Sequence, residues 1–151
     1  MSQYKINTNC VQAGYTPGNG EPRVTPIVQS TTYRYTSGEE VGKLFDLEED
    51  GFFYTRLGNP TTDVVEKRIA ALEGGVGALY TSSGQAASTL SILNICGAGD
   101  HIIASNAIYG GTFNLFGVTF PKIGIETTFV PTDISAEELE TKFQDNTKAV
   151  F

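Results

Sequence analysis

From Asn59 to the last residue, short apolar runs alternate with longer stretches whose apolar residues recur at helical spacing. Such alternation leaves few architectures open. A helix between two strands returns the chain to the same end of the sheet, so the strands pair in parallel. The expected fold class is α/β, a mostly parallel sheet with helices on both faces.

Punctuation residues set the boundaries. Asn59 is a good helix cap, Pro60 suits the first helical position, and Val64, Val65, Arg68, Ile69 and Leu72 follow at helical spacing until Gly74-Gly75. A helix is expected over 59–73. Residues 76–81 then read as a short buried strand, and 84–96 as a helix with Ala87, Leu90, Ile92 and Leu93 inward. A second strand is expected at 101–105, a helix over 112–120, and a strand at 126–130. Ser135 opens a further helix with Glu138 in capping-box position, before a last strand at 149–151.

The residues before Asn59 lack this regularity. Gly14, Pro17, Gly18, Gly20, Pro22 and Pro26 interrupt 13–26 so densely that an extended arm is expected. One short helix fits residues 37–46, where Ser37 caps and Glu39 and Glu40 favour the positive end of the helix dipole. The domain reading is an arm over 1–58 and the first part of a larger domain over 59–151. The chain ends in Thr147-Lys148-Ala149-Val150-Phe151, which enters a strand without cap, turn or polar tail. An amino-terminal part of a longer polypeptide is expected.

Charge and cysteine usage exclude several function classes. A net charge of −7 argues against nucleic acid, whose binding needs clustered Lys and Arg. Cys10 and Cys96 show no CxxC spacing, and His101 is the single histidine, so neither a metal site nor a disulfide is expected. Both Cys96 and His101 are read as ordinary core or surface residues. The amino terminus lacks the apolar stretch of a signal peptide and no run is long enough to span a membrane, making the cytoplasm the expected compartment.

Three loops carry possible chemistry. Tyr80-Thr81-Ser82-Ser83-Gly84-Gln85 passes from an expected strand through small hydroxyl residues and a glycine into a helix. Free amides and the helix dipole make such a turn an anion site, while the serines also serve as plain caps. In Tyr54-Thr55-Arg56, the Arg56 fork and the Tyr54 hydroxyl suit a phosphate, or equally a surface ion pair and a packed tyrosine. A helix over 60–73 runs about 21 Å and the following strand returns about 20 Å, so Arg56 and Gly84 are expected on one rim. Tyr109 follows the next strand, at the edge where ligands of open α/β sheets bind, and a flat aromatic there can stack on a flat ligand or serve as an ordinary packed tyrosine.

The strings Tyr-Thr-Arg-Leu-Gly-Asn-Pro-Thr at 54–61, Ser-Ser-Gly-Gln-Ala-Ala at 82–87 and Tyr-Gly-Gly-Thr at 109–112 resemble the Cys/Met-metabolism family of pyridoxal-phosphate enzymes. The resemblance runs from Thr8-Asn9-Cys10-Val11-Gln12-Ala13-Gly14 through Val24-Thr25-Pro26-Ile27 to the last strand. It implies the amino-terminal portion of a fold-type I, aspartate aminotransferase-like enzyme with pyridoxal 5'-phosphate as cofactor. Residue by residue, it implies that the Gly84 and Gln85 amides, beside Ser83, hold the cofactor phosphate and that Tyr109 stacks on the pyridine ring. Tyr54 and Arg56 would reach the phosphate of a neighbouring subunit in a homo-oligomer, a dimer of dimers. Tyr54 and Tyr109 are the acid/base candidates.

The acidic stretch from Leu44 to Tyr54 is similar to the O-acetylhomoserine sulfhydrylase branch of that family. That branch implies γ-replacement, making homocysteine and acetate from O-acetylhomoserine and sulfide. Methionine γ-lyase and cystathionine γ-synthase or lyase chemistry are the alternatives within the family. A non-enzymatic phosphate-binding or subunit-interaction module is the alternative outside it. The family's reaction also needs a lysine in a Ser-x-x-Lys motif and an aspartate facing the pyridine nitrogen. Of Lys5, Lys43, Lys67, Lys122, Lys142 and Lys148, only Lys5 has a serine three residues before it, in a stretch expected to be a mobile terminus. Both groups are expected further along the polypeptide, and the 151 residues alone are expected to be inactive.

Overall fold

The computed structural model describes residues 4–151, so Ser2 and Gln3 of the Ser2-Gln3-Tyr4-Lys5 string lie outside the described residues. The chain divides after Tyr80 into two compact units. Among the described residues no helix is long and apolar enough to cross a membrane.

The first unit holds α1 (Ile6–Gln12), α2 (Gly38–Phe45) and α3 (Pro60–Glu73), with long irregular segments between them. Helix α1 is a second helix in the arm, where one, over 37–46, was expected. It has seven residues, no side-chain cap and no acid in its first turn, so it gives none of the usual sequence signals. Ser37 does cap α2, its side chain accepting from the Glu40 amide at 3.2 Å.

Helix α3 follows its punctuation closely. The Asn59 side chain accepts from the Thr61 amide at 2.9 Å, Pro60 occupies a position whose N–H would be idle, and Gly74 closes the helix at φ +68°. Its expected apolar stripe is corrected: Val64 and Ala70 are buried, while Val65 and Ile69 stand exposed. The helix is covered on one side, by the segment that follows α1. There Gly14 sits at φ +86°, and a Cβ on it would lie 2.4 Å from the Val64 carbonyl oxygen. Only glycine permits that approach. Arg68 Nε donates to the Ala13 carbonyl at 2.8 Å and ties the same two segments.

The expected strand at 76–81 is not formed. Val76 is fully exposed, Leu79 and Tyr80 largely so, and the segment runs as irregular chain. An apolar run becomes a strand when a neighbour accepts its backbone hydrogen bonds, and among the described residues no strand pairs with it.

The second unit contains α4 (Gly84–Leu93) and a three-stranded sheet of β1 (His101–Ser105), β2 (Glu126–Val130) and β3 (Thr147–Val150). All pairings are parallel and the order is β2-β1-β3, so β1 is central. The α/β fold class is confirmed. Between β1 and β2 the chain forms α5 (Gly110–Asn114), then a π-type turn at Leu115–Thr119 and a 3-10 turn at Phe120–Ile123. One regular helix over 112–120 was expected; Pro121 lacks the amide needed to continue the α ladder, and the change of geometry precedes it. Short α6 (Ala136–Glu140) lies between β2 and β3, with Ser135 accepting from the Glu138 amide at 3.1 Å.

Helix α4 ends at Leu93 rather than residue 96, and its inward face is narrower than expected. Ile92 is buried, whereas Ala87, Leu90 and Leu93 are exposed. Ile92 and Cys96, one turn apart, join Ile102, Ala104, Phe116, Phe120 and Ile125 in the core of this unit. Burial raises the Cys96 thiol pKa, with Asp100 adding to the effect, so this cysteine is held as a neutral packing group.

The opposite pleat of β1 carries His101, 1% exposed. Its Nδ1 meets Thr147 Oγ1 of β3 and its Nε2 meets Thr128 Oγ1 of β2, both at 2.8 Å. One ring thus links all three strands. Burial lowers its pKa below the ordinary value near 6.5, and Glu126 only partly opposes this. A base with a depressed folded pKa binds fewer protons folded than unfolded, so its contribution is full above about pH 6.5 and falls as pH drops towards the folded pKa. The urea stability gap between wild type and His101→Gln should therefore narrow from pH 7 to pH 5. A gap independent of pH over that range would contradict the assignment.

Candidate functional site

In the second unit the chain enters α4 through Ser83, which is extended at φ −164° and ψ 160°. Its side chain accepts from the Ala86 amide at 3.1 Å. Thr81 Oγ1 donates to the Ser83 carbonyl at 3.0 Å and steadies the approach. With Ser83 Oγ taken up by Ala86, the first-turn amides of Gly84 and Gln85 have no hydrogen-bond partner among the described residues. They stand at the positive end of the helix dipole with no acid in the first turn. Among the described residues nothing lies within 4 Å of the place a Cβ on Gly84 would take. Ser83 fills the capping role, and as a hydroxyl it keeps its own O–H free to donate.

Tyr109 stands at the amino end of α5, its carbonyl accepting from the Thr112 and Phe113 amides, both at 2.9 Å. The side chain is 75% exposed. Its ring lies beside Gly111, where a Cβ would come within 2.6 Å of Tyr109 Cε1, so glycine keeps that place clear. The loop is joined to α4 by a side-chain contact: Thr112 Oγ1 donates to Gln85 Oε1 at 2.9 Å. Thr112 itself is 5% exposed. In the sequence Thr112 stood only within the string Tyr-Gly-Gly-Thr, and no local signal names a partner 27 residues away.

Tyr54 and Arg56 belong to the first unit, where the Arg56 guanidinium lies over the Tyr54 ring, 4.5 Å from its centroid. The strand-like stretch around them is held by its neighbours. Tyr54 bridges Thr32 in antiparallel sense, and the Thr55 amide donates to the Thr31 carbonyl at 2.9 Å. Thr55 Oγ1 also donates to the Ser30 carbonyl. Asn59, while capping α3 with its oxygen, spends its Nδ2 group on Thr55 Oγ1 at 3.1 Å, the Val28 carbonyl at 3.1 Å and the Tyr33 hydroxyl at 3.3 Å. Thr55 is thereby fixed between the two residues of interest. The structure thus brings together 83–85 with 109–112 within the second unit, and Tyr54 with Arg56 within the first.

Residues 7–151 match the family described as Cys/Met metabolism PLP-dependent enzyme. The O-acetyl-L-homoserine sulfhydrylase of Leptospira meyeri is 46% identical over 149 residues, covering 98% of this chain and 34% of that protein. The homocysteine/cysteine synthase of Kluyveromyces lactis is 47% identical over 130 residues, 86% of this chain and 29% of that one. Among solved structures, a putative O-acetylhomoserine (thiol)-lyase from Campylobacter jejuni, with N'-pyridoxyl-lysine-5'-monophosphate at position 205, superposes with a TM-score of 0.90 at 34% identity. That match covers 99% of this chain and 36% of the other. The chain spans about a third of the length of these relatives. With nearly every described residue inside the match and the fold shared, the chain belongs to the Cys/Met-metabolism family of pyridoxal-phosphate-dependent enzymes.

Proposed function

We propose that these residues supply the cofactor-phosphate cradle of a pyridoxal-phosphate-dependent O-acetylhomoserine sulfhydrylase, which makes homocysteine and acetate from O-acetylhomoserine and sulfide. The observation that carries the reading is the amino terminus of α4, with two amides unbonded among the described residues, an open Gly84 and a serine hydroxyl. This donor set fits a phosphate dianion, which such a helix end favours without any cationic side chain. The identity of 46% to a named sulfhydrylase supports the choice of reaction.

Each residue then has a task. The amides of Gly84 and Gln85 and the Ser83 hydroxyl donate to phosphate oxygens. Tyr109 offers the exposed face of its ring to the pyridine and fixes its tilt. Tyr54 and Arg56 donate to the phosphate of a neighbouring subunit, so that the active form is a homo-oligomer, a dimer of dimers, in the cytoplasm. The hydroxyls of Tyr54 and Tyr109 are the candidates to hold or move a proton at the substrate. Bound pyridoxal phosphate supplies the electron sink that lets a leaving group depart from the γ carbon. We place the lysine and the pyridine-nitrogen aspartate further along the polypeptide, in keeping with the pyridoxyl-lysine at position 205 of the Campylobacter jejuni protein. The arm over 1–58 serves the partner subunit, and 59–151 begins the cofactor-binding domain.

The test is an assay of the full-length protein with O-acetylhomoserine and either sulfide or cysteine, alongside methionine alone. Homocysteine from sulfide should form at least about tenfold faster than cystathionine from cysteine, a margin of about 1.4 kcal/mol in transition-state binding. Preference for cysteine would reassign the protein to cystathionine synthesis. Breakdown of methionine as the dominant activity would make it a lyase.

A further inference from the structure

We infer that Thr112 is a positioning residue for the cofactor: it locks the loop bearing Tyr109 to the α4 amino terminus, so that ring-stacking and phosphate-binding groups are held as one rigid set. The inference rests on the reading of that helix end as the phosphate cradle. Its basis is that one buried residue holds both sides. The Thr112 amide donates to the Tyr109 carbonyl at 2.9 Å, and its hydroxyl donates to Gln85 Oε1 at 2.9 Å. At 5% exposure, water cannot easily replace the hydroxyl's partner.

The geometry explains why such a lock is useful. Tyr109 is 75% exposed and α5 has no side-chain cap, so the loop that bears the ring has little packing of its own. The Gln85 amide donates from the first helical turn, where the backbone frays most readily. With the Gln85 side chain held by a buried threonine, the peptide that carries the Gln85 amide has fewer orientations to lose when the phosphate binds. Thr112 touches neither phosphate nor pyridine in this scheme; it acts through Gln85 and Tyr109.

The test uses the full-length holoenzyme and measures the Kd for pyridoxal phosphate by dialysis. Thr112→Val removes the hydroxyl at nearly constant shape and should raise Kd about three- to tenfold. Thr112→Ser keeps the hydroxyl and should stay within about twofold of wild type. Gln85→Leu removes the same bond from its other end and should give the same loss, so the result does not depend on one variant folding. The double variant should be no worse than Gln85→Leu alone, because the two changes break one interaction. A Thr112→Val protein of wild-type affinity would overturn the inference, as would equal losses in the valine and serine variants or additive losses in the double variant. Gly84→Asp serves as the control for the cradle. If it leaves affinity unchanged, the phosphate site itself is misplaced; if it weakens binding while Thr112→Val does not, only the lock fails.

Discussion

Replacing Gly84 by aspartate should lower the affinity of the full-length protein for pyridoxal phosphate by at least about a hundredfold while leaving the apo protein as stable as before, or slightly more so. The opposite signs give the prediction its force. At the first position of α4 an acidic side chain complements the helix dipole, worth about 0.3–1 kcal/mol, and exchanging glycine within a helix adds about 0.5–1 kcal/mol. Nothing within 4 Å obstructs the new Cβ, and Gly84 has no positive φ to strain. The same carboxylate would sit where we place a phosphate. Two like charges about 4 Å apart in a half-screened site repel by about 4 kcal/mol, more than two powers of ten in affinity. A thermal melt of the apo form and a cofactor titration of the same preparation check both halves. Gly84→Ala, which fills the space without charge, should fall between the two.

The second large effect concerns stability. Phe116→Ala should cost about 3–5 kcal/mol in urea unfolding. Phe116 is fully buried, stacks on Phe120 at 5.3 Å between ring centroids and meets the edge of Phe151 at 4.9 Å. It lies in the π-type turn between β1 and β2, and its carbonyl accepts from Thr127 Oγ1 at 3.2 Å, so the backbone around it has little room to collapse into the cavity. Phe113 offers the contrast. It stacks on Phe129 at 4.1 Å yet is 39% exposed, and its truncation should cost less than half as much. Circular dichroism is a suitable probe, since it follows the loss of helix and strand directly.

These expectations depend on features with unequal visibility in the sequence. Helix α3 was legible at both ends because cap, proline and glycine each act locally, β1 because its apolar run is short and bounded, and β2 because threonine, phenylalanine and valine favour a strand. The run at 76–81 looked the same but lacks a paired neighbour among the described residues, and pairing is not a local property. The stripes of α3 and α4 were overestimated for a related reason: Val65, Ile69, Leu90 and Leu93 have the right spacing, but spacing does not say which side is covered. At the candidate site, the helix entry at Ser83, Gly84 and Gln85 was readable because a serine cap and a glycine at the helix start act locally. Thr112 was not, since its significance lies in a hydrogen bond to a residue on another element. Asn59 was read as a cap and is one, but its amide group also gathers Val28, Tyr33 and Thr55, a role that only the folded arm reveals.

The histidine of β1 bears on the order in which the sheet is assembled. When β1 and β2 have emerged during synthesis, the ring can meet Thr128, but its other nitrogen has no strand to face until Thr147 arrives, 46 residues after His101. Until β3 docks, that nitrogen faces water, and docking exchanges the water for Thr147 Oγ1 at 2.8 Å. The shortest strand of the three, β3, is thus the one that completes the pairing of the ring and removes it from solvent.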